Sequence, residues 1–369
     1  MHRIANTVTD SHRSIALLRA VCPLYGPAKR RGRARHEAQM RNFAVIGGGA
    51  WGTALAQSQA AAGRKVVLWA RDAGVVADIN AKHRNERRLP GIALDPRLRA
   101  TSELAEAAAS DVLLLAVPAQ HMRATCLLLK PHLTHDTQLV ICAKGFEQVS
   151  GSQMSRVVNE ATDRFSAVLS GPGFASDVAR GLPTAQVLAA IDWKTATKLG
   201  NAIGHKALRI YFSDDVLGVQ MGGAVKNVLA IAAGIVAGRK LGASAHAALV
   251  TRAFHELTGF GHKWGGSRAT FTGLSCLGDL LLTCNSPQSR NFTFGRHLGE
   301  GLTVAEALAA TGGTVEGIYT AAVVDRVARA GKHAIDMPIA SAVHRIVSGE
   351  LTVEAAIDEL ADRPQKSET

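Results

Sequence analysis

The first chemical signal in the chain is Phe43-Ala-Val-Ile-Gly-Gly-Gly-Ala-Trp-Gly52. Four apolar residues run into Gly47-x-Gly49-x-x-Gly52. A helical stretch at 53–62 follows, and then an apolar strand, Lys65-Val-Val-Leu-Trp-Ala70. In this strand–turn–helix–strand setting each glycine has a task. Gly47 permits the tight turn, Gly49 lets the backbone approach a pyrophosphate, and Gly52 lets the helix pack on the strand. The phosphate charge then sits at a helix N-terminus, where amide N–H groups lack partners. Arg71 and Asp72 close the second strand. An acid there suits the ribose 2′-hydroxyl of NAD and an arginine suits the 2′-phosphate of NADP. Arg71 comes first, which favours NADP.

Four further places have residues suited to chemistry. Lys226 lies in Gly218-Val-Gln-Met-Gly-Gly-Ala-Val-Lys-Asn-Val-Leu-Ala-Ile-Ala-Ala-Gly234. Leu217, Met221, Val225, Val228, Ala232 and Ile235 share helical spacing and form an apolar stripe, with Lys226 beside it. Gly222 and Gly223 precede it by one turn and suggest that something approaches the backbone there. A lysine in a crowded, dry place has a depressed pKa and can exchange a proton near neutral pH. The same spacing equally suits a lysine snorkelling at a helix edge.

Ala143-Lys144-Gly145-Phe146 follows the strand 138–142, so Lys144 either points at the crevice or is solvated in a loop. Ser170-Gly-Pro-Gly-Phe-Ala175 also follows a strand; it is a bare turn or a nest of N–H groups for an anion or carbonyl. Ser289-Arg290-Asn291 offers donors suited to phosphate or forms a surface loop with a helix cap. Asp279, within apolar 277–282, needs a cationic partner if buried, and Lys226 is a natural one.

These residues need a scaffold. Apolar strands at 43–46, 65–70, 112–117, 138–142, 167–170 and 185–189 alternate with helical segments such as 53–62, 73–82, 102–109 and 151–162. That alternation predicts a parallel sheet with helices on both faces. Past residue 213 only helical periods remain, at 215–238, 243–260, 303–310, 318–330, 338–348 and 353–361. The expected fold class is α/β: an N-terminal Rossmann-type doubly wound parallel sheet, then an all-helical C-terminal domain. The expected boundaries are a basic, disordered leader at 1–39, a dinucleotide domain at 40–213, a helical substrate and catalytic domain at 214–362, and a tail at 363–369.

Composition narrows the classes. The 369 residues suffice for two domains. Net charge is +12, and residues 1–40 hold eight Lys/Arg against two acids, half of that excess. The leader reads as a transit peptide or, preferably, as sequence upstream of a start at Met40. The rest suits anionic small molecules rather than a specific nucleic acid. No apolar run reaches the ~18–20 residues that span a bilayer. Five cysteines without C-x-x-C or metal-ligand spacing point to no metal and to reduced thiols in the cytoplasm, with Cys142 and Cys276 as buried filler.

From about Met40 to Leu360 the chain resembles the bacterial type of NAD(P)-dependent glycerol-3-phosphate dehydrogenase. The matching motifs are Gly47-Gly-Gly-Ala-Trp-Gly-Thr-Ala-Leu-Ala56, Asn85-x-x-Arg-Leu-Pro-Gly91, Ala116-Val-Pro-Ala-Gln120, Lys144-Gly-Phe-Glu147, Gly222 to Gly234, Leu277-Gly-Asp-Leu-Leu-Leu-Thr-Cys284, Ser289-Arg-Asn291 and Val315-Glu-Gly317. The resemblance implies reversible hydride transfer between NAD(P)H and dihydroxyacetone phosphate, giving sn-glycerol 3-phosphate for phospholipid synthesis. It implies that Lys226 transfers the proton, with Lys144 and Asp279 beside it. Substrate contacts would be Lys144, Gly171, Gly173, Lys226, Asp279, Ser289, Arg290 and Asn291. Cofactor contacts would be Gly47, Gly49, Trp51, Gly52, Arg71, Lys144, Ala175, Arg290 and Glu316, with Thr314 another and Asn227 and Thr283 in support. A homodimer is compatible with this reading. Ala50 and Gly173 depart from the pattern, each standing where the family usually has a hydroxylated residue, and the leader has no counterpart.

Overall fold

A computed structural model describes residues 40, 42–330 and 334–364. The expectations for the leader, Cys22 and the last five residues lie outside that range. Eight strands form one sheet: β1 (Asn42–Ile46), β2 (Lys65–Trp69), β3 (Arg99–Thr101), β4 (Val112–Leu115), β5 (Gln138–Ile141), β6 (Ala167–Ser170), β7 (Thr184–Ala189) and β8 (Leu208–Ser213). Their spatial order is β3-β2-β1-β4-β5-β6-β7-β8. The order reverses at β1, which pairs in parallel with both β2 and β4. A crevice opens there, at the carboxyl ends of the strands, where open α/β sheets bind ligands. The inner strands β1 and β4 have Phe43–Ile46 and Val112–Leu115 fully buried, because helices cover both faces.

Two features correct the expected sheet. The strands β3 and β8 were not anticipated: β3 is only three residues long, and β8 shows no alternation, every residue after Leu208 being half-buried. The sheet is also not wholly parallel, since β7 runs antiparallel to β6. The segment between them carries the five-residue helix Ala175–Ala179, and the chain reverses after it.

From Val216 onward the chain is helical. The helix Val216–Gly238 is the axis of this part. A single apolar stripe was the expectation; instead 18 of its residues are buried, on every face. Among the described residues it is the one helix long and apolar enough to cross a membrane, and it lies inside the protein. Its glycines allow close helix contact: a Cβ on Gly234 would fall 2.1 Å from the Phe292 carbonyl oxygen of the helix Arg290–Gly299. A π turn, Leu274–Gly278, runs directly into the helix Asp279–Cys284. It fits against Gly222, where a Cβ would lie 2.7 Å from that of Cys276. The paired glycines before Lys226 therefore admit protein, and through that contact Asp279 is set beside Lys226.

Candidate active site

The glycine turn closes around backbone. Gly47 has φ +130°, and a Cβ there would strike the Ala116 carbonyl carbon at 2.8 Å. A Cβ on Gly52 would lie 1.9 Å from the Gly47 oxygen, so the helix Ala50–Ala61 sits directly on the turn. Gly49 caps that helix with no side-chain bond, no acid occupies the first turn, and nothing approaches the position of its missing Cβ. Free amide groups thus face open space, the arrangement that fits a pyrophosphate. Asn85 braces the turn, its amide donating to the Gly48 carbonyl and to Thr53. At the end of β2, Arg71 is exposed. Asp72 is engaged elsewhere: it caps the helix Ala73–Lys82 through Gly74 N–H and pairs with Arg87 at 2.9 Å.

Across the crevice lies a buried ionic cluster. Asp279 is 1% and Lys226 6% exposed. One carboxylate oxygen accepts from Lys226 Nζ at 2.6 Å and the other from Lys144 Nζ at 2.5 Å. Lys226 also donates to Thr283 Oγ1, which in turn donates to the Asp279 carbonyl. Lys144 donates to the Gly171 carbonyl at 3.0 Å, tying the loop after β5 to the turn after β6. Each lysine keeps one N–H beyond these bonds.

Burial lowers the Lys226 ammonium to about 8; Asp279 opposes that shift and Lys144 adds to it. For Asp279 burial alone would raise the pKa, but the two lysines outweigh it and hold the carboxyl below its ordinary value. The cluster therefore keeps one fixed anion between two cations, one of them poised to titrate near neutrality.

The remaining predicted residues surround this cluster. Ser289 caps the helix Arg290–Gly299 by accepting from Phe292 N–H, and it is buried. Arg290, the first residue of that helix, is exposed and lies against Gly313. The Asn291 amide donates to Asn227 and accepts from Gly317 N–H. Glu316 accepts from Ala119 N–H, joining the helical part to the loop after β4; its other oxygen has no partner. Burial raises its pKa, and the Ala119 N–H and Arg290 oppose the rise. Ala175 opens a short helix without a side-chain cap.

Buried polar atoms without partners gather around the crevice: Trp51 Nε1, Ser170 Oγ, both ends of the Gln186 amide, Glu316 Oε2 and Thr320 Oγ1. Buried polar groups are almost always paired, so such a gathering fits a site built for a ligand. The sequence reading passed over Gln186 and Thr320. Gln186 had a visible signal, as the lone polar side chain in the apolar run 185–189.

A dinucleotide-fitting turn facing a lysine poised to exchange a proton is the arrangement of a nicotinamide-dependent oxidoreductase, and fold and cluster assign the chain to that class. Comparison with known proteins narrows it. Residues 42–196 match the model of the NAD-dependent glycerol-3-phosphate dehydrogenase N-terminus, and residues 215–358 match that of its C-terminus. A glycerol-3-phosphate dehydrogenase [NAD(P)+] of Parvibaculum lavamentivorans is 53% identical over 330 residues, covering 89% of this chain and 98% of the relative. One from Rhodopseudomonas palustris is 51% identical over 334 residues, covering 89% and 99%. The crystal structure of glycerol-3-phosphate dehydrogenase from Coxiella burnetii superposes with a TM-score of 0.83 at 38% identity, covering 88% of this chain and 99% of that one. The chain belongs to the NAD-dependent glycerol-3-phosphate dehydrogenase family.

Proposed function

We propose that the chain catalyses reversible reduction of dihydroxyacetone phosphate to sn-glycerol 3-phosphate, with Lys226 as the proton donor. The observation that carries the residue assignment is the buried Lys144–Asp279–Lys226 cluster beside the crevice. NAD(P)H, when bound, would supply the hydride for the ketone carbon. Gly47, Gly49 and Gly52 with the first turn of the helix Ala50–Ala61 hold its pyrophosphate; Trp51, Arg71, Lys144, Ala175, Arg290 and Glu316 complete its seat.

Lys226 uses its remaining N–H on the substrate oxygen and gives up the proton as negative charge develops there. Asp279 keeps Lys226 charged before that transfer and stays paired with Lys144 after it, so no lone buried charge results. Lys144 and the Gly171–Gly173 turn bound the same space. Ser289, Arg290 and Asn291 hold the phosphate: Arg290 through its fork of donors, Asn291 through its unused amide hydrogen, and the helix start through its N–H groups. Free, buried thiols at Cys126, Cys142, Cys276 and Cys284 support work in the reducing cytoplasm.

The phosphate assignment is tested by Arg290→Lys. A lysine keeps the charge but loses the bidentate fork. One charged hydrogen bond is worth roughly 1.5–3 kcal/mol, so kcat/KM for dihydroxyacetone phosphate falls about tenfold or more. At saturating NADPH, which offsets any loss at the cofactor seat, the slow reaction of unphosphorylated dihydroxyacetone stays as it was. Parallel losses on both substrates would remove Arg290 from the phosphate.

Cofactor choice is tested at Arg71. Its exposed guanidinium, with Asp72 already engaged, favours the 2′-phosphate of NADPH. Arg71→Ala weakens NADPH binding far more than NADH binding, measured as Kd by fluorescence titration. Equal weakening would place Arg71 away from the 2′ position.

A further inference from the structure

The turn that follows β6 has a polar floor. Gln186 lies in mid-β7 and is 0% exposed, and neither its Nε2 nor its Oε1 has a partner. Its Cα is 3.0 Å from the point where a Cβ on Gly171 would stand, and its Nε2 is 3.2 Å from the corresponding point on Gly173. The central residue of the turn, Gly173, brings no side chain, and the Gln186 amide stands in contact with the place where one would begin. Trp51 borders the same space, its ring 3.6 Å from that point, and its Nε1 is also unpartnered. A donor and an acceptor without partners thus lie behind a turn whose Gly171 carbonyl is held by Lys144.

Folding alone does not favour this arrangement. A buried amide paired at neither end is destabilising, and an apolar side chain of the same length would be better tolerated. We propose that Gln186 is a substrate-binding residue. With substrate against the turn, Nε2 donates to an oxygen of the three-carbon phosphate ester and Oε1 accepts from its hydroxyl. Contact needs only backbone movement of the turn, since position 173 has no side chain to displace. The assignment rests on the crevice being the substrate seat.

Gln186→Met in the full chain keeps the length and removes the amide. Four quantities are measured: melting temperature without ligand, Kd for glycerol 3-phosphate by calorimetry with NADP+ present, KM for dihydroxyacetone phosphate, and Kd for NADPH. The expected result is a melting temperature equal to or above that of the parent, with Kd and KM for substrate weakened about five- to tenfold. NADPH binding is unchanged. Gln186→Leu serves as a second variant if the first folds poorly. A folded variant with unchanged substrate Kd overturns the assignment, as does a lowered melting temperature in both variants, which would make Gln186 structural. Arg290→Lys, measured alongside, separates the two readings. If it weakens substrate while Gln186→Met does not, only the Gln186 assignment falls; if both are silent, the substrate seat falls with it.

Discussion

Replacing Lys226 by alanine is expected to lower kcat by about 10²–10⁴-fold, the usual cost of losing a positioned acid. Affinity for NADPH stays near the parent value, because Lys226 bonds Asp279 and Thr283 and has no part in the cofactor seat assigned above. The fold survives, since Asp279 keeps its bond to Lys144. The pH profile changes as well. Lys226 has its pKa lowered to about 8 by burial. As a proton donor it must be charged, so ketone reduction in the parent declines as pH rises through about 8. In the reverse direction it must be neutral, so alcohol oxidation rises over the same interval. Lys226→Ala removes both limbs. A variant that kept more than a tenth of kcat, or an unchanged pH profile, would show that the proton comes from another group.

Asp279→Asn should damage both stability and catalysis. The parent carboxylate bridges the half-buried Lys144 ammonium at 2.5 Å and the buried Lys226 ammonium at 2.6 Å. An amide leaves those cations facing each other without a counter-charge. Breaking a buried pair from one side costs about 3–5 kcal/mol. Lys226 sheds its proton more readily, and the fraction able to act as an acid at neutral pH drops. The melting temperature falls by several degrees, and kcat/KM falls at least as far as in Lys226→Ala. In the variant the folded Lys226, without the carboxylate that raises its pKa, binds fewer protons than in the unfolded chain, so stability rises with pH. The parent shows such a rise from about pH 8, where its own Lys226 titrates; in the variant it begins at lower pH. A variant with parent-like melting temperature and activity at pH 7 would contradict the cluster account.

Local signals carried much of this architecture into the sequence. The glycine turn and β1 were legible because strand, turn and helix follow one another within twenty residues. The helices at 73–82 and 353–361 ended where the apolar period ended. Non-local facts were not legible. β3 is too short to show a pattern, and the direction of β7 is set by its pairing with β6 and β8, which no local period reveals. The pairing of Asp279 with Lys226 followed from the need of a buried acid for a cation. Its second partner, Lys144, lies 135 residues away and was singled out by its place after a strand and by the family resemblance, not by any local sign of the pairing. The burial of Val216–Gly238 on all faces depends on the helices that surround it, which no period within the helix reveals. Gln186 was hidden for a related reason: one polar residue in a strand gains meaning only from what stands over it.

The central claim is that the buried lysine cluster serves a phosphorylated ketone. Its most direct test is NADPH and NADH oxidation by the purified chain, with dihydroxyacetone phosphate and dihydroxyacetone compared at equal concentration and the product identified. The predicted result is rapid oxidation with the phosphate ester alone, one glycerol 3-phosphate formed per cofactor oxidised, and a rate that collapses in Lys226→Ala. Equal rates on the two ketones, or turnover that persists without Lys226, would contradict it.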